Sequence, residues 1–431
     1  MYADVVIIGA GHSGLAMSAF LSQHCVDHVV LERGQVANSW RRERWESLRL
    51  LTPNWLSRLP GHRYDGDDPH GFMALPEVIA FIEHYARLIA APVRTGVTVM
   101  SVTERDDRYH VITDADDWFC RCLVIANGAH GVANVPPAAA RLPPFVRSLT
   151  AKEYRRPQDL DDRGVLVVGA SATGVQLADE IQRSGRQVTL AVGEHIRLPR
   201  RYRGRDIQAW METLGLLDQR IDHVDDLVRV RRLPSPQLVG APATLDLNAL
   251  TERGVELVGR LEAVRDGRAL FSGSLRNQCA MADLKQQRLL ASIDRWLEQN
   301  PYRLEVPEPD RPVATRVPER PRLWLDFKRI GTVLWATGFR PDYSWLHLPV
   351  LDAKGHLQHE GGIVGAPGVY ALGLNFMRRR KSSFIHGAED DVRELGYELL
   401  AHLDALDVCD QPPSRLEATG WNLVEASFVS P

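Results

Sequence analysis

Three glycines near the start of the chain have a spacing that suits phosphate binding. Gly9, Gly11 and Gly14 follow the apolar run DVVII at 4–8, and the stretch LAMSAFLSQH after them has helix-forming composition. At such a turn the first glycine permits a sharp bend, the second lets the backbone approach a pyrophosphate, and the third lets a helix pack on a strand. On these three residues alone, a chance glycine turn in a sheet protein remains the alternative.

The residues around this turn favour a dinucleotide. The amides and the positive dipole end of the helix would hold the phosphates, and His12 and Ser13 lie at that end. The next apolar run, HVVLE, ends in Glu32, whose carboxylate is placed to bind ribose hydroxyls, and Arg33 follows it. Strand, turn, helix, strand and acid arrive in the order of a nucleotide-binding unit, so we predict a dinucleotide here.

A second turn of the same kind occurs much later in the chain, in VLVVGASATGVQLADEI. Serine replaces the middle glycine, and a residue of that size still admits a phosphate, although less closely. The predicted contacts at this turn are Gly169, Ser171, Ala172, Thr173 and Gly174.

The strand after the second turn, QVTLAV, lacks a ribose-binding acid at the expected place. Val192 stands there, and Glu194 lies two residues further on. Arginines follow, which suits the 2′-phosphate of NADPH. Glu194 serving the ribose of NADH is one alternative, and a solvated loop carrying the arginines is another. We predict NADPH, with these ligands: Arg197, Arg200 and Arg201.

Two dinucleotide turns in one chain have an economical explanation. One would hold a flavin permanently, and the other would receive the nicotinamide that reduces it. The first turn therefore predicts FAD and the second NADPH.

Four further segments resemble one known family. They are GQVANSWRRERWESLRLLTPNWLSRLPG, CLVIANGAH, VLWATGFRP and APGVYALGLNF. Taken with the two turns, they make the sequence resemble the single-component, FAD- and NADPH-dependent flavin-containing monooxygenases, including N-hydroxylating and Baeyer–Villiger-type enzymes. The resemblance spans most of the chain and is weakest over 203–325. It implies FAD contacts at Trp40, Thr52, Ala126, Gly128 and Gly373, and NADP contacts at Ala336, Thr337 and Gly338.

The resemblance also implies a reaction. NADPH would reduce FAD, and reduced flavin with O2 would form a C4a-(hydro)peroxide that transfers oxygen to a small organic substrate at a nitrogen, sulfur or carbonyl centre. A dry pocket would protect that species. Asn54 and Asn375 are the candidate donors to it, although each could simply cap a turn. Lys381 and the arginines at 378–380 would face the cofactor, an anionic substrate or solvent.

One segment departs from the family pattern. The monooxygenase fingerprint F-x-G-x-x-x-H, followed by an aromatic residue, is replaced by Pro144, Val146 and Thr150 when Tyr154 is aligned with the aromatic. This change leaves two alternatives open. One is a flavin oxidase or reductase without oxygen transfer, and the other is a non-catalytic FAD-binding redox sensor.

The elements that position these residues define an α/β fold with two Rossmann-type domains. The FAD-binding domain is predicted to be discontinuous, comprising 1–158 and 326–431, with an NADP-binding domain at 159–325 inserted into it. A helix over 278–299 would present Met281, Leu284, Leu289, Ile293 and Trp296 along one stripe. Packing in the core is the plainer role for this stripe, and a lid or a homodimer contact is the alternative.

Composition excludes several classes of function. The 431 residues are 44% hydrophobic and 25% charged, with net charge −3, which gives no general reason to expect nucleic acid or a membrane surface as a partner. The basic cluster at 41–44 is predicted to be a solvated face. Five scattered cysteines without a CxxC pair argue against a dithiol redox centre, and no zinc spacing is present. A strand almost at the N-terminus leaves no room for a signal peptide, so a cytoplasmic protein is expected.

Overall fold

The computed structural model describes residues 1–300 and 305–409. Its α-helices, in chain order, are α1 (His12–Gln23), α2 (Asn38–Arg42), α3 (Leu75–Leu88), α4 (Ala172–Arg183), α5 (Ile207–Thr213), α6 (Leu227–Arg231), α7 (Leu247–Glu252), α8 (Leu275–Gln299) and α9 (Ala388–Cys409).

Strands fall into two larger sheets and several small ones. In chain order they are β1 (Val5–Ile8), β2 (His28–Glu32), β3 (Arg58–Leu59), β4 (His62–Arg63), β5 (Val93–Thr95), β6 (Val99–Arg105), β7 (Arg108–Thr113), β8 (Asp117–Cys120), β9 (Cys122–Ile125), β10 (Val132–Ala133), β11 (Arg147–Thr150), β12 (Gly164–Val168), β13 (Val188–Ala191), β14 (Arg201–Tyr202), β15 (Arg205–Asp206), β16 (Glu256–Val258), β17 (Leu261–Arg265), β18 (Arg268–Phe271), β19 (Trp324–Asp326), β20 (Ile330–Trp335), β21 (Phe339–Arg340), β22 (His359–Glu360), β23 (Ile363–Val364) and β24 (Val369–Ala371).

The first large sheet is built around the N-terminal strand. Its order is β22-β23-β24-β9-β1-β2-β5, with β24 to β5 parallel and the two outer strands antiparallel. All four residues of β1 are buried, as expected for a β-branched strand covered on both faces. Helix α1 connects β1 to β2 and packs against α9, where Phe20 meets the ring of Tyr397 edge-on. The first glycine turn therefore lies at the centre of this sheet.

The second large sheet repeats the same unit. Its order is β11-β20-β12-β13-β16, and every pair is parallel. Helix α4 connects β12 to β13 just as α1 connects β1 to β2, so both glycine turns lie at strand-to-helix junctions. This arrangement confirms the predicted α/β class with two Rossmann-type units.

The predicted domain boundaries are wrong at both junctions. Strand β11, inside the 1–158 segment assigned to the first domain, pairs with β20 in the second sheet. Strand β20 itself lies inside the 326–431 segment but also pairs with β12. Strand β11 is short and mostly polar, and β20 is short and apolar, and neither pattern says which sheet the strand would join. Residues 410–431 of the second segment lie outside the described residues.

Helix α8 confirms the predicted helical insertion but not its buried stripe. Ile293 is fully buried, whereas Met281 and Leu284 are 52% and 39% exposed. The buried face instead includes the polar Asp283, whose carboxylate forms an ion pair with the buried Arg197. A stripe drawn through apolar residues alone therefore ran along the wrong side of the first half of the helix.

Among the described residues, no helix is long and apolar enough to cross a membrane. The same ranges contain no group of three or more histidine, cysteine or acidic side chains arranged to hold a metal ion.

Candidate active site

Both glycine turns border one cavity of about 810 Å³. Gly11 and His12 reach its wall from the first turn, and Ala172 and Thr173 reach it from the second. The sequence-predicted residues on this wall are Gly9, Gly11, His12, Ser13, Glu32, Arg33, Trp40, Thr52, Ala126, Gly128, Ala172, Thr173, Gly373 and Asn375. The structure thus brings residues from distant parts of the chain to one place.

The glycines of the first turn have separate structural roles. Gly9 has φ +110°, and a Cβ there would lie 2.5 Å from the carbonyl oxygen of Ala126. A Cβ on Gly14 would lie 2.0 Å from the Gly9 oxygen, so both positions exclude a side chain. Gly11 differs, because a Cβ there would meet nothing within 4 Å. The space beside Gly11 is open to a ligand, as the pyrophosphate prediction requires.

Polar atoms without partners lie at the start of α1. His12 Nε2 and Ser13 Oγ are buried and have no hydrogen-bond partner among the residues that the structure describes. Burial lowers the pKa of His12 to about 4, so its ring is neutral near pH 7. Both atoms belong to residues on the cavity wall, so a ligand there could satisfy them.

Glu32 is held at the end of β2 by two backbone amides. Its Oε2 accepts a hydrogen bond from Ala10 N at 3.0 Å, and its Oε1 accepts one from Gly34 N at 2.9 Å. A carboxylate has about four lone-pair sites, so capacity remains for ribose hydroxyls. The end of β2 is therefore suited to bind the ribose of a dinucleotide held at the first turn.

The second turn is built like the first. Gly169 has φ +108°, and a Cβ there would lie 2.4 Å from the Ala336 oxygen. Ala336 N donates to Val168 O at 2.9 Å, matching the bond from Ala126 N to Ile8 O at the first turn. The alanines of the two signature segments therefore buttress the two turns in the same way.

Four other residues predicted to contact NADP, two in the second turn and two after β20, are not on the cavity wall. Gly174 packs so closely that a Cβ would lie 1.8 Å from Gly169 O, and Ser171 is the residue just before α4. Thr337 Oγ1 donates to the carbonyl of Asn134, and Gly338 has φ +87°. These residues shape the turn, and whether they contact NADP stays a prediction.

Two of the three arginines predicted to bind the 2′-phosphate are instead buried in ion pairs within the protein, so the prediction is wrong for both. Arg197 is 2% exposed and pairs with Asp246 at 2.5 Å and Asp283 at 2.7 Å. Burial alone would lower its pKa, but those carboxylates raise it. Arg200 is 1% exposed and pairs with Asp206 at 2.6 Å. Neither guanidinium is available to a nucleotide.

Arg201 remains exposed, at the start of β14. Closer to the end of β13 lie two cations that the sequence analysis missed. Arg260 carbons lie 3.7 Å from the position of a Cβ on Gly193, and Lys285 pairs with Glu194 at 2.9 Å. Their separation from β13 along the chain left no sequence signal.

The two candidate donor asparagines have different surroundings. Asn375 lies on the cavity wall and is exposed to it. Asn54 lies outside the wall, is 4% exposed and donates through Nδ2 to Asp68 O at 2.9 Å. Asn54 therefore tethers a loop in this structure, and its role as a donor to the flavin adduct stays a prediction.

The segment with the altered fingerprint is tied down locally. Thr150 N and Oγ1 both donate to Glu153 Oε2, at 2.8 and 2.7 Å. Lys152 next to it pairs with Glu43 at 3.1 Å and donates to His130 O at 3.2 Å. Lys152 therefore links the segment after β11 to residues of the cavity wall.

The basic cluster at 41–44 was predicted to be a solvated face, and Arg44 is an exception to that prediction. It lies on the cavity wall, and burial lowers its pKa. His130 is also on the wall, and burial, then Arg44 and Lys152, lower its pKa to about 4. Other wall residues that sequence analysis did not place there are Trp345, Phe384 and Arg231.

Comparisons with known proteins agree with this architecture. Residues 6–214 match the family described as pyridine nucleotide-disulphide oxidoreductase. A Geobacillus kaustophilus protein named uncharacterized oxidoreductase CzcO-like is 29% identical over 93% of this chain and 99% of its own length. A rice indole-3-pyruvate monooxygenase, YUCCA8, is 31% identical over 45% of this chain and 49% of its own length.

A solved flavin-containing monooxygenase from Stenotrophomonas maltophilia shares the fold, with a TM-score of 0.66, 20% identity and coverage of 93% of this chain and 99% of that one. The fold and the paired turns define an oxidoreductase with two dinucleotide-binding units. The chain is thus similar in part of its sequence to flavin monooxygenases and in fold to a solved one, in agreement with the resemblance seen in its sequence.

Proposed function

We propose that this oxidoreductase is an FAD-dependent, NADPH-consuming monooxygenase acting on a small organic substrate with O2. One observation carries the proposal: the two glycine turns border the same cavity, so a flavin at the first and a nicotinamide at the second can meet. The flavin would supply the oxygen chemistry, through the C4a adduct that the family resemblance implies. The chain itself supplies binding, orientation and exclusion of water.

FAD is assigned to the first turn. The open space at Gly11 and the amides at the start of α1 suit the pyrophosphate, and Glu32 suits the ribose. His12 Nε2 and Ser13 Oγ would gain the partners they lack within the protein. Gly373, with φ +72° and beside Ser13, lets the backbone after β24 approach the flavin.

NADPH is assigned to the second turn. The end of β13 presents Val192 where NADH-binding units carry an acid. Glu194, the alternative ribose ligand, already pairs with Lys285. Arg260 beside Gly193 adds a cation near the end of β13, and it takes the place of the buried Arg197 and Arg200 in the proposal. Its pair with Glu262 at 3.0 Å is exposed to solvent, so a phosphate can compete for the guanidinium.

A dithiol reductase is disfavoured by the cysteines. Among the described residues the cavity wall contains no cysteine, and Cys120, Cys122 and Cys279 are buried in the core. Burial raises the pKa of Cys122 and Cys279 to about 12, which keeps both thiols protonated. Electrons entering the flavin would therefore leave to oxygen or to a small substrate.

The test is a stopped-flow experiment on FAD-loaded protein. Enzyme reduced anaerobically with NADPH is mixed with O2, and absorbance is followed between the reduced and oxidised flavin bands. We expect an intermediate whose lifetime lengthens with NADP⁺, because bound nicotinamide shields it from water. Oxidised flavin and stoichiometric peroxide appearing in one fast step, with or without NADP⁺, would establish an oxidase instead. Negligible turnover with every acceptor would establish a redox sensor.

A further inference from the structure

Four consecutive cations, RRRK at 378–381, follow the strand that approaches the flavin site. Three of them are neutralised. Arg378 pairs with Glu394 at 2.5 Å, and Arg379 pairs with Asp391 at 2.9 Å. Lys381 pairs with Asp218 at 2.6 Å and Asp390 at 2.7 Å, joining the segment to α9.

Arg380 is the exception in this run. Among the described residues it forms no ion pair, and its only side-chain acceptor is the neutral amide of Gln219. Its Nε is buried and has no hydrogen-bond partner in the described part of the chain, and the residue lies on the cavity wall. Burial lowers the pKa of Arg380, with no carboxylate contributing in the other direction.

Arg231, at the end of α6, is a second cation of this kind. It lies on the same wall and donates only to backbone oxygens, those of Phe376 at 3.2 Å and Met377 at 3.3 Å. Burial lowers its pKa as well, again without a compensating carboxylate. Nearby His359 adds no charge near pH 7, because burial and then Arg231 lower its pKa to about 4.

Arg231 and Arg380 both contact Phe376, so the two guanidinium groups lie near the same residue. The Arg380 guanidinium lies 5.2 Å from the centre of its ring, while Arg231 holds its carbonyl oxygen. Phe376 has φ +44°, a left-handed conformation that is unusual for a bulky residue and marks a backbone fixed by its surroundings. The wall of the same cavity also carries apolar side chains, among them Met211, Leu217, Val230, Leu233 and Phe384.

A partly buried cation without an anionic partner is costly, so two of them on one cavity wall indicate an anionic ligand. We propose that Arg231 and Arg380 bind the carboxylate of the organic substrate, whose apolar body lies along the wall beside Phe376. This inference rests on the proposed function and narrows its substrate class. Guanidinium forks match planar carboxylates, and the apolar wall disfavours a purely polar anion.

The phosphates of the two dinucleotides are the competing anions. Their places are accounted for at Gly11 and at the start of α4, where backbone amides and helix dipoles face the cavity. Neither arginine belongs to a turn. The experiment must therefore separate carboxylate binding from nucleotide binding.

The probes are phenylacetate and its neutral counterpart phenylacetamide. Each is titrated into oxidised, FAD-loaded protein by equilibrium dialysis, while NADPH affinity is measured from anaerobic flavin reduction. The variants are R380Q, R380K and R231Q, with R265Q as a control, because Arg265 is an exposed arginine without an ion pair in the described residues.

We expect phenylacetate to bind more tightly than phenylacetamide to the wild-type protein. R380Q and R231Q should each weaken phenylacetate binding about tenfold or more, because a charge-assisted hydrogen bond is lost. R380K should recover only part of it, since an ammonium lacks the fork. The affinities for phenylacetamide and for NADPH should be unchanged in these variants. The control R265Q should bind phenylacetate as the wild-type protein does.

Two results would overturn the inference. Equal binding of acid and amide would remove the carboxylate site, and weaker NADPH binding in R380Q with unchanged phenylacetate binding would reassign the arginines to the nucleotide. Neither depends on oxygen transfer. Failure to bind FAD or to be reduced by NADPH would instead count against the proposed function.

Discussion

Gly11 is the residue whose identity matters most for the flavin site. Its neighbours Gly9 and Gly14 are excluded from carrying a side chain by the protein itself, whereas a Cβ on Gly11 would meet only open space. The restriction at Gly11 therefore comes from a ligand. Its substitution should spare the fold and remove the cofactor.

We expect Gly11→Val to yield folded, colourless protein, because the valine would occupy the pyrophosphate space. Gly273→Val is the matched control, since a Cβ there also meets nothing within 4 Å but lies in a loop before α8. Absorbance of the purified proteins at the flavin bands measures the result, and circular dichroism checks the fold. A yellow, fully loaded Gly11→Val protein would remove the FAD assignment.

Arg197 was correctly predicted to bind an anion, but the anion was wrongly predicted to be the phosphate of a nucleotide. It does bind anions, but they are Asp246 and Asp283 of the same chain. We expect Arg197→Gln to destabilise the protein by about 3–5 kcal/mol, because it leaves buried carboxylates without a partner. Urea unfolding measures this loss. Normal stability with a lost preference for NADPH would restore the original assignment.

At the scale of elements, the two strand–turn–helix–strand units were predictable and their surroundings were not. Glycine spacing and buried apolar runs are local signals, so β1-α1-β2 and β12-α4-β13 could be placed from sequence. Strands β11 and β20 depend on which sheet edge is available, and the inward face of α8 depends on an arginine far away in the chain. Such long-range pairings leave no local pattern.

The end of β13 is the element that should decide between the two nicotinamides. We expect Arg260→Gln to weaken NADPH binding about tenfold while leaving NADH unchanged, since only NADPH offers a phosphate to the lost cation. Rates of anaerobic flavin reduction over a range of each nicotinamide measure this, with Arg265→Gln on the same small sheet as control. An equal loss for both nucleotides would mean that Arg260 acts on the fold of the strand end.

At the scale of the whole molecule, packing lowers the pKa of four histidines, of which His12 and His130 lie on the cavity wall and His386 is fully buried. Burial is the largest cause that lowers the pKa of His12, His130 and His359 to about 4, and of His386 to about 3. Each would titrate near its ordinary value of about 6.5 in the unfolded chain. Sequence analysis could not foresee this, because residues distant in the chain set the surroundings of these rings, such as Arg231 beside His359 and Arg58 beside His386.

The last prediction follows from these depressed pKa values. Below pH 6.5 the unfolded chain takes up protons that the folded protein refuses, so stability is fully present above pH 6.5 and is lost as pH falls toward 4. Between pH 6.5 and 5 each such histidine steepens the dependence by up to about 1.4 kcal/mol per pH unit. Urea unfolding of FAD-saturated protein at several pH values across this window measures the slope.

His386 offers the sharpest variant, since it is 2% exposed and its Nε2 has no hydrogen-bond partner within 1–300 and 305–409. His386→Gln should flatten the slope by about one proton's contribution, whatever its effect on stability at pH 7.5. His70→Gln, at an exposed position, should leave the slope unchanged. If both variants keep the wild-type slope, His386 has the same pKa in the folded protein as in the unfolded chain, and its burial does not contribute to the pH dependence of stability.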